Sequence, residues 1–339
     1  MINHFNKNIF KIKPYYVSIL PEKLKRMHSN ETSKPILGYE ILMKNVDENL
    51  NFYPENKSIE LVNLASKFYK IEQNNIIATN GSDEGIDLCI RTFCNQSDKI
   101  LVFEPTFSMY KQYADIFGID VENIDLIEKN DRFIFDENKA IERAKSIKAK
   151  LLFIPNPLAN IGELIDREKI LKILDSLPDT IIVIDEAYIE FRGIENSLIN
   201  ELKNYQNLVI LRTFSKFFGL AGIRLGFIFT NFQSEIMKIK SPYNVNILTC
   251  QIAINVFHNI KNDIIKQRQN EILQKRIELE KWLKTFIEVD KIFNSDTNFV
   301  FVKLNCKASI FAYKLEKEFS MKIKSMSGKF DNYCRISVL

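Results

Sequence analysis

Apolar positions along this chain follow two rhythms. Spacing over Ile59 to Lys70 is helical, Asn75 to Thr79 reads as a short strand, and Asp83 to Phe93 returns to helical spacing. Short apolar runs follow at Lys99 to Phe103, Leu151 to Ile154, Ile181 to Ile184, Leu208 to Leu211 and Leu225 to Phe229. Their shortness, β-branched content and polar or Gly/Pro boundaries predict strands buried on both faces, as in a mainly parallel sheet with helical crossovers. The fold class is therefore α/β, with a large doubly wound domain of mainly parallel, mixed sheet flanked by helices. Beyond Pro242 a long, charge-laced helix is predicted from about Cys250 to Phe286, carrying the only tryptophan, Trp282, and bridging two domains. A strand over Asn298 to Lys303, a helix over Ala308 to Phe319 and a last strand over Tyr333 to Val338 predict a smaller α+β domain. The N-terminal arm is expected to pack there, giving a large domain of residues 38–248 and a small one of 1–37 with 249–339.

Composition narrows the choice of chemistry. The 47 basic and 43 acidic residues leave a net charge of only +4, so nothing pulls the protein toward nucleic acid and a small-molecule partner is expected. The five cysteines (Cys89, Cys94, Cys250, Cys306, Cys334) show no Cys-x-x-Cys spacing and no nearby histidine cluster, so neither a disulfide frame nor a metal site is expected. His4, His28 and His258 lie far apart, which turns attention to lysine and tyrosine for proton transfer. The early lysines Lys7, Lys11 and Lys13 interrupt any signal-like stretch, and no run approaches the roughly 20 apolar residues that span a bilayer. A cytoplasmic protein without membrane partners is expected.

Three strand-end segments carry candidate chemistry. Ile181-Ile182-Val183-Ile184 ends abruptly in Asp185 and Glu186, and ligands in open α/β sheets bind outside the carboxyl ends of strands; a helix-capping aspartate is the plainer alternative. Leu208 to Leu211 ends in Arg212-Thr213-Phe214-Ser215-Lys216, where desolvation of a lysine would favour its neutral, nucleophilic amine. A strand-end lysine alone reads more simply as a surface residue. Arg224, following Gly219 and Gly222, adds a guanidinium where backbone amides and hydroxyls approach, a combination suited to phosphate. Thr79-Asn80-Gly81-Ser82-Asp83-Glu84-Gly85 forms a strand, a glycine turn and a helix start, an anion site at a helix N-terminus with Ser82 or Asp83 as its cap.

Taken in order, these segments resemble the fold type I pyridoxal-phosphate (PLP) enzymes of aspartate-aminotransferase-like fold, and within them the histidinol-phosphate aminotransferase group. The resemblance covers roughly residues 50–338 and rests on Tyr53-Pro54-Glu55, Gly81-Ser82-Asp83-Glu84-Gly85, Pro105-Thr106-Phe107, Asp185-Glu186-Ala187-Tyr188-Ile189-Glu190-Phe191, Arg212-Thr213-Phe214-Ser215-Lys216, Ala221-Gly222-Ile223-Arg224-Leu225-Gly226 and Cys334-Arg335-Ile336-Ser337. It implies that Lys216 holds PLP as a Schiff base and shuttles the proton, that Asp185 pairs with the pyridine nitrogen, and that Tyr188 bonds the ring oxygen. It implies Phe107 stacked on the ring, and a phosphate held by Ser82, Asp83, Thr213, Ser215, Arg224 and the neighbouring subunit's Tyr53, hence a homodimer. Arg335 would take the substrate carboxylate. Lys324 stands where the family commonly has a second arginine, and Ser29-Asn30-Glu31-Thr32 is similar to a family segment that lies over the site, making Asn30 a substrate-side residue.

One loop departs from the pattern. Where the family usually has Pro-Asn-Asn-Pro-Thr-Gly, this chain reads Pro155-Asn156-Pro157-Leu158-Ala159-Asn160-Ile161-Gly162, and counting without gaps puts Ala159 where an asparagine bonds the cofactor's ring oxygen. Either Asn160 moves in or Tyr188 carries that oxygen alone. The resemblance implies amino transfer from an amino acid, with glutamate as donor, to a phosphorylated ketone: imidazole-acetol phosphate, or a smaller one such as dihydroxyacetone phosphate. Decarboxylation of serine or threonine phosphate is the alternative within the same cofactor chemistry, and a non-catalytic PLP-binding sensor the alternative outside it.

Overall fold

Short runs rich in Ile, Val, Leu and Phe become strands where backbone pairing can bury both faces. The computed structural model describes residues 7–14, 21, 23–46 and 50–339; His4 lies outside the described residues. In chain order the strands are β1 (Lys25–Met27), β2 (Ile76–Asn80), β3 (Lys99–Glu104), β4 (Asp120–Asp125), β5 (Ile127–Lys129), β6 (Arg132–Ile134) and β7 (Leu151–Pro155). There follow β8 (Ile181–Asp185), β9 (Leu208–Thr213), β10 (Leu225–Thr230), β11 (Val289–Ile292), β12 (Phe299–Leu304), β13 (Met321–Ser325) and β14 (Tyr333–Ser337).

Seven strands form one sheet in the order β2-β10-β9-β8-β7-β3-β4. Pairs from β9 through β4 are parallel, whereas β10 runs antiparallel to both β2 and β9, so the sheet is mixed and mainly parallel as the pattern predicts. Strands β7 to β10 are buried along their whole length, which is why they read as unbroken apolar runs. Edge strand β4 was not expected: in Asp-Val-Glu-Asn-Ile-Asp only Ile124 is buried, and its parallel pairing with β3 rests on backbone bonds that leave no apolar rhythm.

The second sheet has the order β1-β13-β14-β12-β11. The helix Ala308–Phe319 covers one face, burying Ala308, Phe311 and Leu315 with Val300, Val302 and Ile336. The long helix expected over about residues 250–286 is instead two, Ile247–Asn259 and Asn262–Leu283. Ile260 and Lys261 between them adopt extended backbone, and no Gly or Pro marks the break in the sequence. The two halves have different work: Asn255 in the first donates to the Leu42 and Lys44 carbonyls, while the second sends Gln269 to the Glu190 carbonyl and buries Leu283 beneath the small sheet.

Candidate active site

Strands β8 and β9 lie parallel and adjacent, with Asp185 in register with Leu211, so the segments leaving their carboxyl ends open onto one edge of the sheet. Asp185 is buried there, accepting a hydrogen bond from the Tyr110 hydroxyl at 2.7 Å and one from the Ala187 amide at 3.1 Å. Burial is the main cause that pushes its carboxyl up to about 6; these two bonds and the positive charge of Lys216 pull the other way, and the nearby charge of Asp83 adds to the rise. Tyr110 stacks on Phe153 at 4.7 Å between ring centroids and meets Phe107 edge-on at 5.8 Å, which sets Phe107 beside the aspartate. Sequence reasoning passed over Tyr110. Local spacing gave no signal for it, because Phe107 lies in the loop before the helix Met109–Phe117 and the contact depends on how that helix packs over the sheet.

Past β9, the Ser215 amide donates to Thr213 Oγ1 at 3.1 Å and closes a tight turn that presents Lys216. Lys216 Nζ donates to the Ser29 carbonyl at 2.8 Å and stands 5.8 Å from the centre of the Tyr188 ring. The Tyr188 hydroxyl accepts a bond from Asn30 Nδ2 at 2.9 Å. Asn30 is fully buried and fixed from three sides: its amide donates to Ser337 Oγ, its Oδ1 accepts from the same hydroxyl, and its carbonyl accepts from Asn298.

The same edge carries an anion cradle. Arg224 donates to Ser215 Oγ at 3.1 Å and to Asp83 Oδ2 at 3.2 Å. A Cβ on Gly226 would meet the backbone of Gly81 and Ser82 at 2.5–2.6 Å, and one on Gly81 would collide with the Arg224 guanidinium. Glycine at both positions therefore lets the first turn of the helix Gly81–Phe93 come down onto β10, gathering the Ser82 amide, the Thr213 and Ser215 hydroxyls and Arg224. The helix begins two residues earlier than expected, and its cap position falls on Asn80 rather than on Ser82 or Asp83; the Asn80 amide donates to the Glu84 carboxylate at 2.5 Å. That frees the Ser82 amide for a ligand, and the donor set fits a phosphate.

Beneath the two strand exits, Arg212 is fully buried and donates to Glu186 at 2.9 Å and to Glu190 at 2.7 Å, while Glu186 also accepts from Ser197 and from the Leu198 amide. This buried trio ties the segment after Asp185 to the strand that leads to Lys216. The expected motifs contained all three residues, but only the fold reveals that they pair.

On the opposite side, Arg335 in β14 donates to Asn160 Oδ1 and to the His28 carbonyl, both at 2.9 Å, with its guanidinium 5.4 Å from the centre of Phe299. Asn160 donates in turn to the Thr106 carbonyl at 2.6 Å, so the side chain next to Ala159 serves Arg335 and not Tyr188. Lys324 is in register with Arg335 across β13 and β14; partial desolvation and then the charge of Arg335 lower its pKa. Phe299 also meets the Tyr188 ring at 5.2 Å, joining this side to the lysine side. Tyr53 stands apart, 80% exposed and stacked on Tyr243 at 4.5 Å. Among the described residues no group of three or more His, Cys, Asp or Glu side chains is arranged to hold a metal, and no helix is long and apolar enough to cross a membrane.

An aspartate and a lysine delivered by neighbouring parallel strands, beside a glycine-built phosphate cradle, define the class: a PLP-dependent transaminase of fold type I. Residues 30–338 match the model of the family described as aminotransferase class I and II, and the chain belongs to that family. It is 34% identical over 339 residues to a histidinol-phosphate aminotransferase of Clostridium kluyveri, covering 98% of this chain and 93% of the relative. A Pyrococcus furiosus protein of the same name is 35% identical over 306 residues, covering 90% of this chain and 83% of that one. The crystal structure of the histidinol-phosphate aminotransferase from Clostridium acetobutylicum superposes with a TM-score of 0.83 at 28% identity, covering 93% of this chain and 94% of the other.

Proposed function

We propose that this transaminase moves the amino group of L-glutamate to a small phosphorylated ketone, with imidazole-acetol phosphate as the acceptor. The observation that carries the reading is the pairing of two anion-binding side chains, Arg335 and Lys324, in register beside the lysine and aspartate of the large sheet. Arg335 takes the α-carboxylate through its planar fork, and Lys324, beside it in register on β13, meets the distal phosphate as a point charge. The near-full-length similarity to histidinol-phosphate aminotransferases supports the choice of acceptor.

When bound, PLP supplies an electron sink for charge developing at the substrate α-carbon. The chain supplies the rest. Lys216 Nζ would hold the cofactor and, once released from it, would be the base that takes the substrate α-proton. Asp185, its ionisation opposed by burial, gains a cationic partner when it holds the proton on the pyridine nitrogen, and this recovers the cost of burying its charge. Tyr188 donates to the ring oxygen with Asn30 fixing its position, and Phe107 covers the ring face. Ser82, Asp83, Thr213, Ser215 and Arg224 hold the phosphate, with Ser82 and Asp83 acting through their backbone amides.

Tyr53 of the partner subunit completes the phosphate site in a homodimer. The exposed apolar side chains of Tyr39, Met43, Phe52, Tyr53, Ile59 and Tyr243 support such a contact. In this reading the cofactor belongs to a large domain of residues 38–248, and residues 1–37 with 249–339 close over the substrate in a cytoplasmic enzyme. Mixing the cofactor-loaded protein with glutamate tests it: the visible band of the lysine-bound cofactor should be lost as 2-oxoglutarate forms, and imidazole-acetol phosphate should restore it. Restoration by dihydroxyacetone phosphate instead would name the smaller acceptor, and carbon dioxide released from a phosphorylated amino acid without any oxo acid would mean decarboxylation.

A further inference from the structure

The hairpin of β5 and β6 leaves the large sheet just after its edge strand β4 and reaches the small sheet, where its contacts converge on one carboxylate. Glu128 accepts hydrogen bonds from the Tyr333 hydroxyl at 2.6 Å, from Lys303 at 3.0 Å and from Lys291 at 3.2 Å. Lys291 also pairs with Asp131 at the hairpin turn. Partial burial alone would raise the Glu128 pKa, but the bonds from Tyr333, Lys303 and Lys291 outweigh it and bring it down to about 2, so the carboxylate stays charged at any working pH. From the other hairpin strand, Phe133 packs its ring against Phe293, Phe301 and Tyr333 at 5.0–6.1 Å.

The register of the small sheet gives these contacts a target. Tyr333 and Arg335 are two residues apart on β14 and so point to the same face; across the ladder Lys303 pairs with Tyr333 and Phe301 with Arg335. Glu128 thus grips the row of side chains next to the row that holds Arg335. The hairpin reaches Arg335 by a second route as well. Arg132 Nε bonds Glu163 Oε1 at 2.7 Å, and the Glu163 carbonyl accepts from the Leu158 amide, closing the loop whose Asn160 accepts from Arg335.

We propose that Glu128 and its hairpin position Arg335, so that affinity for the substrate carboxylate is set by a residue that never touches substrate. The proposal rests on the assignment of Arg335 above. A carboxylate fork tolerates little misplacement, and an error of about an ångström in a positioning group costs on the order of a hundred-fold. Glu128→Ala leaves Lys291 and Lys303 without their shared carboxylate and removes the polar tie between the hairpin and β14, while Phe133 still packs on Tyr333.

The test measures binding of maleate, an unreactive dicarboxylate, to the cofactor-loaded dimer by calorimetry, together with KM and kcat for glutamate. Glu128→Ala should raise the maleate dissociation constant and the glutamate KM by about ten-fold or more, with cofactor affinity and kcat nearly unchanged. In an Arg335→Ala background the same change should add nothing. Should Glu128→Ala not fold, Glu128→Gln and Tyr333→Phe make the same test more gently, each expected to shift maleate binding in the same direction. Maleate affinity equal to that of the unmodified protein, or cofactor affinity lost in proportion, makes the hairpin a brace of the fold and overturns the proposal. A parent protein that binds maleate no better than its Arg335→Ala variant overturns the assignment of Arg335 first, and the proposal with it.

Discussion

The lysine side and the arginine side of this site are held in different ways. Lys216, Asp185 and Tyr188 themselves leave adjacent strands of one sheet, with Tyr110 added from a helix and Ser29 and Asn30 from the N-terminal stretch, and the buried charges beneath them are paired locally, Arg212 with Glu186 and Glu190. Around Arg335 the contacts come from separate stretches of chain: a carbonyl at His28, a side chain at Asn160, and the hairpin that holds Tyr333. In the proposed reading, the cofactor chemistry rests on the large sheet and substrate recognition on parts drawn from separate stretches of chain, the loop around Ala159 among them.

The comparison is tested most severely at Lys216. Lys216→Ala should lower the turnover of glutamate by about four orders of magnitude, the upper range for loss of a positioned acid–base group, while maleate affinity changes little. Steady turnover in that variant would remove the lysine from the mechanism. A fall in maleate affinity as large as the fall in rate would show that the two sides are not separable.

Next in size is the buried trio. Arg212→Ala strands two carboxylates inside the sheet, and leaving a buried charge without its partner costs about 3–5 kcal/mol. Chemical denaturation should show that loss in the cofactor-free protein. An equally large loss from Arg335→Ala would contradict the idea that only the lysine side is built into the core.

Asp185 gives a smaller, pH-dependent effect. Its carboxyl is raised from 3.8 to about 6 in the folded protein, so its protonated form favours folding below the unfolded value, and that contribution is lost as the pH rises through about 6. A shift of this size corresponds to roughly 3 kcal/mol between those limits. In the cofactor-free protein Asp185→Asn should therefore gain stability relative to its parent as the pH rises over this window. Parallel stability curves for the two proteins would show that Asp185 does not carry the shift.

What the sequence made legible follows the same division. Strands buried on both faces, such as β8 and β9, announce themselves as apolar runs, and the residues at their ends sit where the sheet must open to a ligand. Segments that pair through backbone while exposing polar side chains, such as β4 and the hairpin of β5 and β6, leave no such trace. Neither does a contact like Tyr110 to Asp185, which depends on how the helix Met109–Phe117 packs over the sheet. The arginine itself was found by its motif. Its partners lie 175 and 307 residues away, and no local spacing encodes that.

The finest test of the comparison is Asn160. Its orientation is fixed by chemistry: turned over, the amide would face its own donors to Arg335 and its own carbonyl to the Thr106 carbonyl. Asn160→Ala removes one hydrogen bond to a charged group, a loss of about 1.5–3 kcal/mol, or roughly ten- to hundred-fold in the KM for glutamate. Because Asn160 has no bond to Tyr188, the pH at which the visible band of the bound cofactor titrates should stay where it is. Tyr188→Phe should do the reverse, moving the titration and sparing the glutamate KM. If Asn160→Ala shifts the band and leaves KM alone, Asn160 has taken over the role of the asparagine that Ala159 replaces, and the loop belongs to the lysine side after all.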